Sequence, residues 1–83
     1  MYYVYILYSE KKKKYYIGST NDVIRRLAQH NSATKGYTSA GQPWQLKYRE
    51  AYPTKLEALR REKEIKKMKS RKFIEALIRN SIE

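Results

Sequence analysis

The chain predicts a mixed α/β fold of order β-β-α-β-α-α. Three observations predict it: a β-branched and aromatic run at the start, a T-x-x-E sequence ahead of a long charged stretch, and apolar residues at helical spacing near the end. Tyr2-Tyr3-Val4-Tyr5-Ile6-Leu7-Tyr8 is continuous and apolar, which suits a strand covered on both faces. Ser9 to Lys14 is polar, and Tyr15-Tyr16-Ile17-Gly18-Ser19 reads as a second strand, so the two make a hairpin with a lysine-rich loop. Thr20-Asn21-Asp22 offers N-cap chemistry for a helix over about 22–31. Ser32 to Pro43 holds two glycines and a proline without periodicity and reads as a loop. Trp44 to Tyr52 alternates loosely, as a third strand does, and Pro53-Thr54 ends it. Thr54 and Glu57 then form the capping box of a long helix reaching about Lys69. Ser70 caps a last helix whose Phe73, Ile74, Leu77 and Ile78 fall on one side.

Composition bounds the function. Eighty-three residues make one domain, spanning 1–83, without repeats, linkers or low-complexity segments. A chain of this size buries only about 60% of its unfolded surface, so its stability is marginal. With no cysteine there is neither disulfide nor thiolate metal site, which fits a reducing compartment. The apolar start is far shorter than the roughly 20 residues of a membrane span, and it lacks the basic region and cleavage site of a signal peptide. A soluble, cytoplasmic protein with no membrane partner is expected. Nineteen Lys and Arg against eight Asp and Glu give a formal charge of +11. Such an imbalance self-repels in a compact chain and points to a polyanionic partner, nucleic acid first. Lysines 11–14 are most simply a solvated loop, with a phosphate contact as the functional alternative. Nine tyrosines could stack on bases, but the N-terminal ones read as core.

Helical and strand geometry single out particular residues. At about 100° per residue, Val23, Ile24, Leu27 and Ala28 share one arc of the first helix, with Arg26 and His30 at its edge. The pair is either a snorkelling arginine with a surface histidine or a phosphate clamp. In the long helix Ala58, Leu59 and Ile65 bracket Glu62, which puts a carboxylate within the apolar face. A carboxylate so placed is either ion-paired, with Arg26 a ready partner, or holding a cation. In the hairpin Tyr3, Tyr5 and Leu7 share a face of one strand, Tyr16 and Gly18 a face of the other. Pattern alone favours cross-strand packing there; a functional reading brings two phenols together beside a glycine that leaves room for close approach.

These pieces resemble the GIY-YIG nuclease family. Tyr3-Val4-Tyr5 stands where the family has Gly-Ile-Tyr, and Tyr16-Ile17-Gly18 is its Tyr-Ile-Gly motif intact. Arg26 and His30 follow Tyr16 by ten and fourteen residues, the family's spacing for an Arg and a following His or Tyr. Ala58-Leu59-Arg60-Arg61-Glu62 carries its A-x-x-x-E pattern. The chain looks most like the small single-domain members. The resemblance implies an α+β fold, a three-stranded antiparallel sheet flanked by helices. It also implies a Mg²⁺- or Mn²⁺-dependent endonuclease acting on DNA. It assigns Glu62 to the metal, Arg26 to the charge developing on phosphoryl oxygens, and Tyr16 to general-base work. Tyr5 and His30 would hydrogen-bond around that base, with His30 the alternative proton acceptor. Two departures stand out: Tyr3 replaces the first Gly of the motif, and the Asn that many members carry beyond the metal Glu has no clear counterpart. A separate specificity domain is not expected either, so the chain should bind weakly or read structure rather than sequence. A non-catalytic module binding DNA or RNA is the alternative, and charge alone supports a ribosome-associated protein. The sequence leaves the oligomeric state open, with a monomer as the working expectation.

Overall fold

The computed structural model describes residues 1–81; residues 82 and 83 of the expected domain lie outside the described residues. Strands β1 (Tyr2–Ser9) and β2 (Lys14–Thr20) are followed by helix α1 (Val23–Ser32), strand β3 (Trp44–Tyr52), and helices α2 (Lys55–Met68) and α3 (Arg71–Asn80). The sheet is antiparallel with order β2-β1-β3, and its chain order matches the one the sequence predicts. β1 is central because it alone carries an unbroken apolar run: Val4, Tyr5, Ile6 and Leu7 are all buried, two facing each layer. β3 alternates buried or half-buried with exposed residues along its length, as an edge strand should.

Two cores result. Tyr5, Leu7, Val23 and Trp44 pack on the face under α1, joined by Tyr3, Tyr16, Leu27 and Leu46. Val4, Ala58 and Ile65 pack on the other face, where Phe73, Ile74 and Leu77 of α3 cover them. Asp22 caps α1 by accepting from Arg25 N at 3.1 Å, Ser70 caps α3, and Thr54 caps α2 by accepting from Glu57 N. Only half of the expected capping box forms, since the Glu57 carboxylate accepts from the Thr54 hydroxyl rather than from the Thr54 backbone N–H.

Three expectations need correction. The loop over 32–43 contains a 3-10 turn, Tyr37–Gly41, which its irregular composition did not signal. Ile24 and Ala28 lie outside the core, Ile24 at 71% exposure. The helix is rotated so that Val23, Leu27 and His30, which share a face at i, i+4 and i+7, meet the sheet instead. Leu59 is likewise exposed, leaving Ala58 and Ile65 as the buried contacts of α2. Among the described residues no helix is long and apolar enough to cross a membrane.

Candidate active site

Tyr5 and Gly18 face one another across the β1–β2 ladder. Gly18 has no side chain, so the Tyr5 ring lies over it; a Cβ there would sit 2.5 Å from Tyr5 Oη. The phenol reaches His30, with Oη and Nε2 3.0 Å apart, and both residues are buried. Tyr16, two pairs along the ladder and on the same face, stands beside them, its ring centroid 4.7 Å from His30 and 6.3 Å from Tyr5. Tyr37 and Trp44 extend this aromatic wall, each 6.2 Å from Tyr16. The end of α1 is held to this wall by side chains. Asn31 bonds both backbone groups of Trp44, and Gln42 Nε2 donates to the His30 and Ala33 carbonyls. His30 is therefore no surface histidine.

Electrostatics separate the roles of these groups. Burial pushes the Tyr5 phenol above its ordinary range, against the pull of the adjacent Arg26 guanidinium. Burial and then the Arg26 charge push His30 down, so its imidazole is neutral near pH 7. In the tautomer whose Nδ1 carries the proton, Nε2 accepts the Tyr5 O–H. Arg26, itself exposed, is held charged by the Tyr5 and Tyr16 hydroxyls beside it. Next to it lies an open recess of about 300 Å³, with Ser19, Arg25, Arg26 and Lys55 among its walls.

Glu62 comes from the other layer. Its carboxylate, 16% exposed, accepts from Ser19 Oγ at 2.7 Å and from Lys66 Nζ at 2.5 Å. The expected ion-pair partner Arg26 is not among its contacts, because Arg26 stands on the opposite face with the phenols. Ser19 points away from Gly18's face, so the Gly18-Ser19 step is where the two layers meet: the Tyr5 ring on one side, Glu62 on the other. The Glu62 charge still acts at Tyr5, adding to what raises the phenol. The structure thus gathers Tyr5, Tyr16, Arg26 and His30 on one face of the sheet and leaves Glu62 in the other layer, against Ser19 on the reverse side of β2. Lys66 was discoverable as the i+4 neighbour of Glu62, and Ser19 by strand alternation; nothing in the sequence marked Tyr37.

The other half-buried acid is structural. Glu50 accepts from Arg61 through Nε at 2.9 Å and Nη2 at 3.2 Å, and from the Tyr48 and Tyr52 hydroxyls. Burial would raise this carboxyl, but Arg61 and the two phenols hold it below its ordinary range. Among the described residues no three His, Asp or Glu side chains cluster for a metal. A cation at Glu62 would have one protein carboxylate. That suits Mg²⁺, which keeps several waters and shares substrate phosphates, and does not suit a structural zinc.

The chain is similar to known proteins along most of its length. Residues 1–74 match the GIY-YIG catalytic domain. A UPF0213 protein of Halobacterium salinarum is 41% identical over 78 residues, covering 93% of this chain and 99% of that protein. The structure-specific endonuclease subunit slx1 of Schizosaccharomyces japonicus is 44% identical over 64 residues, which are 70% of this chain but 23% of that subunit. The solution structure of the UPF0213 protein BH0048 from Bacillus halodurans superposes with a TM-score of 0.60 at 38% identity, covering 98% of this chain and 86% of that one.

Proposed function

The chain belongs to the GIY-YIG family, and from that premise we propose that it is a metal-dependent endonuclease hydrolysing DNA phosphodiester bonds, with 1–83 as one catalytic domain. The observation that carries the reading is the convergence of Tyr5, Tyr16, Arg26 and His30 beside Gly18, with Glu62 behind the same strand edge. Packing alone gives no reason to bury a histidine and a tyrosine hydroxyl against an arginine.

Glu62 would hold Mg²⁺ or Mn²⁺, displacing the Lys66 ammonium. When bound, such an ion lends positive charge to the phosphoryl oxygens as the phosphorus is attacked. Arg26 faces the recess and neutralises charge developing on the same oxygens. Tyr5 is poorly suited to give up its proton, because burial holds it on; it serves as the donor that fixes the His30 ring. Tyr16, half-buried beside Arg26 and His30, would act as general base through its phenolate oxygen, which takes a proton from the attacking water and becomes the phenol. Neutral His30 is the alternative acceptor of the water's proton in place of Tyr16, and would release its hydrogen bond from Tyr5 to take it. Slx1-type relatives are named structure-specific endonuclease subunits, which makes branched DNA the first substrate to try.

The test uses supercoiled plasmid with Mg²⁺. Wild type should nick it, EDTA should stop the nicking, and Glu62→Ala should bind but not cut. One observation favours a second reading, a non-catalytic nucleic-acid-binding module: both Glu62 oxygens are already engaged, by Ser19 and Lys66. Under it, wild type and Glu62→Ala would bind equally and leave the plasmid intact.

A further inference from the structure

A second concave surface lies on the α2–α3 side of the sheet. The lysine run of the hairpin is no free loop there. Arg71, in the first turn of α3, donates from Nη1 to the Lys13 carbonyl at 2.8 Å, and its guanidinium lies over the Tyr15 ring at 5.2 Å. That tie fixes the hairpin tip against the α2–α3 junction and encloses a groove of about 340 Å³. Its floor is apolar, from Ile17, Ile65 and Ile74. Lys13, Lys14, Lys66, Lys69 and Arg71 line its walls, and no acidic residue does. Among the described residues Lys14 and Lys69 have no carboxylate partner, while Lys13, Lys66 and Arg71 pair with Glu10, Glu62 and Glu75 outside the groove.

The backbone adds an independent observation. Two non-glycine residues among those described have positive φ, and both are lysines on this groove: Lys13 at 55° and Lys69 at 48°. Glycine adopts that conformation freely, and it is the usual residue where a helix ends as α2 does, with the Lys69 N–H bonded to the Lys66 carbonyl. Among the described residues the Lys69 side chain forms no ion pair and Lys13 only an exposed one with Glu10, which contributes little to stability, so what lysine adds at both positions is a charge held at the rim. The groove also leads somewhere. Lys66 joins it to Glu62, and Tyr37, 60% exposed, stands at its other side within 6.2 Å of the Tyr16 ring.

We infer that this groove is a phosphate track for a nucleic-acid strand: the lysines neutralise backbone phosphates, and Tyr37 offers its open face to a base as the strand turns toward Tyr16. The inference rests on the nuclease reading for its partner, but its test reads binding rather than cleavage.

A fluorescent single-stranded oligonucleotide is titrated in EDTA over a range of salt concentrations with wild type, with K13G/K69G, and with K47Q/K63Q, which removes two exposed lysines that do not line the groove. K13G/K69G should melt no lower than wild type, since glycine relieves both left-handed positions. It should bind at least about tenfold more weakly at low salt, with the slope of log K against log salt reduced by about 1.4, two phosphate contacts on a single strand. K47Q/K63Q should retain most of both. Equal losses in the two double variants would mean diffuse charge rather than a groove, and wild-type binding by K13G/K69G would remove the groove from the interface; either result overturns the inference and leaves the nuclease reading standing. Groove-dependent binding to anionic phospholipid vesicles without binding to the oligonucleotide would overturn it in favour of a membrane surface. A wild type that binds no nucleic acid would overturn both readings.

Discussion

Gly18→Ala tests the centre of the proposed site with one methyl group. The new Cβ would lie 2.5 Å from Tyr5 Oη and 2.7 Å from Cζ, far inside ordinary contact distance. Something must yield by about 1 Å, because unstrained carbon contacts sit at roughly 3.5–4.0 Å. Tyr5 is 1% exposed and bonded to His30, so its ring cannot swing into solvent. Overpacking of this kind costs about 1–3 kcal/mol, and loss of the Tyr5–His30 hydrogen bond adds about 1 kcal/mol. Replacing glycine inside a strand returns about 0.5–1 kcal/mol. The net destabilisation is about 2 kcal/mol, a fall in Tm of about 8–16 °C for a domain of this size. Thermal and urea melts followed by circular dichroism measure it. A double-mutant cycle with Tyr5→Phe isolates the clash. That substitution removes the nearest atom but leaves the ring carbon, so Gly18→Ala should cost about 1 kcal/mol less in its background. Plasmid nicking should fall about a hundredfold, the usual result of a displacement near 1 Å in a reacting constellation. A Gly18→Ala protein melting within about 2 °C of wild type, the spread of neutral surface changes, would mean that the Tyr5 ring does not lie over Gly18.

Other perturbations separate catalysis from stability. Glu62→Ala should cost no more than about 1 kcal/mol in a urea melt, because its Lys66 partner is half exposed and only the Ser19 bond is well shielded; a cost of about 3–5 kcal/mol would mark a buried structural ion pair instead. Glu50→Gln should do the reverse, lowering stability by about 1–2 kcal/mol after allowance for the partial exposure of the pair, with nicking unchanged. Since the folded pKa of His30 lies below its unfolded value, the unfolded chain binds the extra proton first. Stability from this group is complete above about pH 6.5 and drains away as pH falls through the folded value. Melts from pH 8 to 5 should show that loss in wild type and not in His30→Gln, and equal slopes would refute it. Nicking should decline in the same acid window as the imidazole gains its proton.

Much of this was legible in the sequence because it is local. Unbroken apolar character made β1 central, capping chemistry set the start of each helix, and strand alternation put Tyr5 and Gly18 on one face with Tyr16. The spacing of Arg26 and His30 was equally readable, as was the awkward position of Glu62 within an apolar stripe. What alternation and helical period cannot supply is the identity of the facing element, since each describes a side chain relative to its own axis. Only the packed structure decided that α1 turns His30 inward and Ile24 outward, because a buried phenol waited on β1 to receive the imidazole. Only packing paired Glu62 with Ser19 across 43 positions of sequence rather than with Arg26, and only packing pinned the lysine hairpin to α3 through Arg71. Such contacts join residues far apart in the chain, and their partners are selected by how layers stack, a property of the whole molecule that no single segment carries.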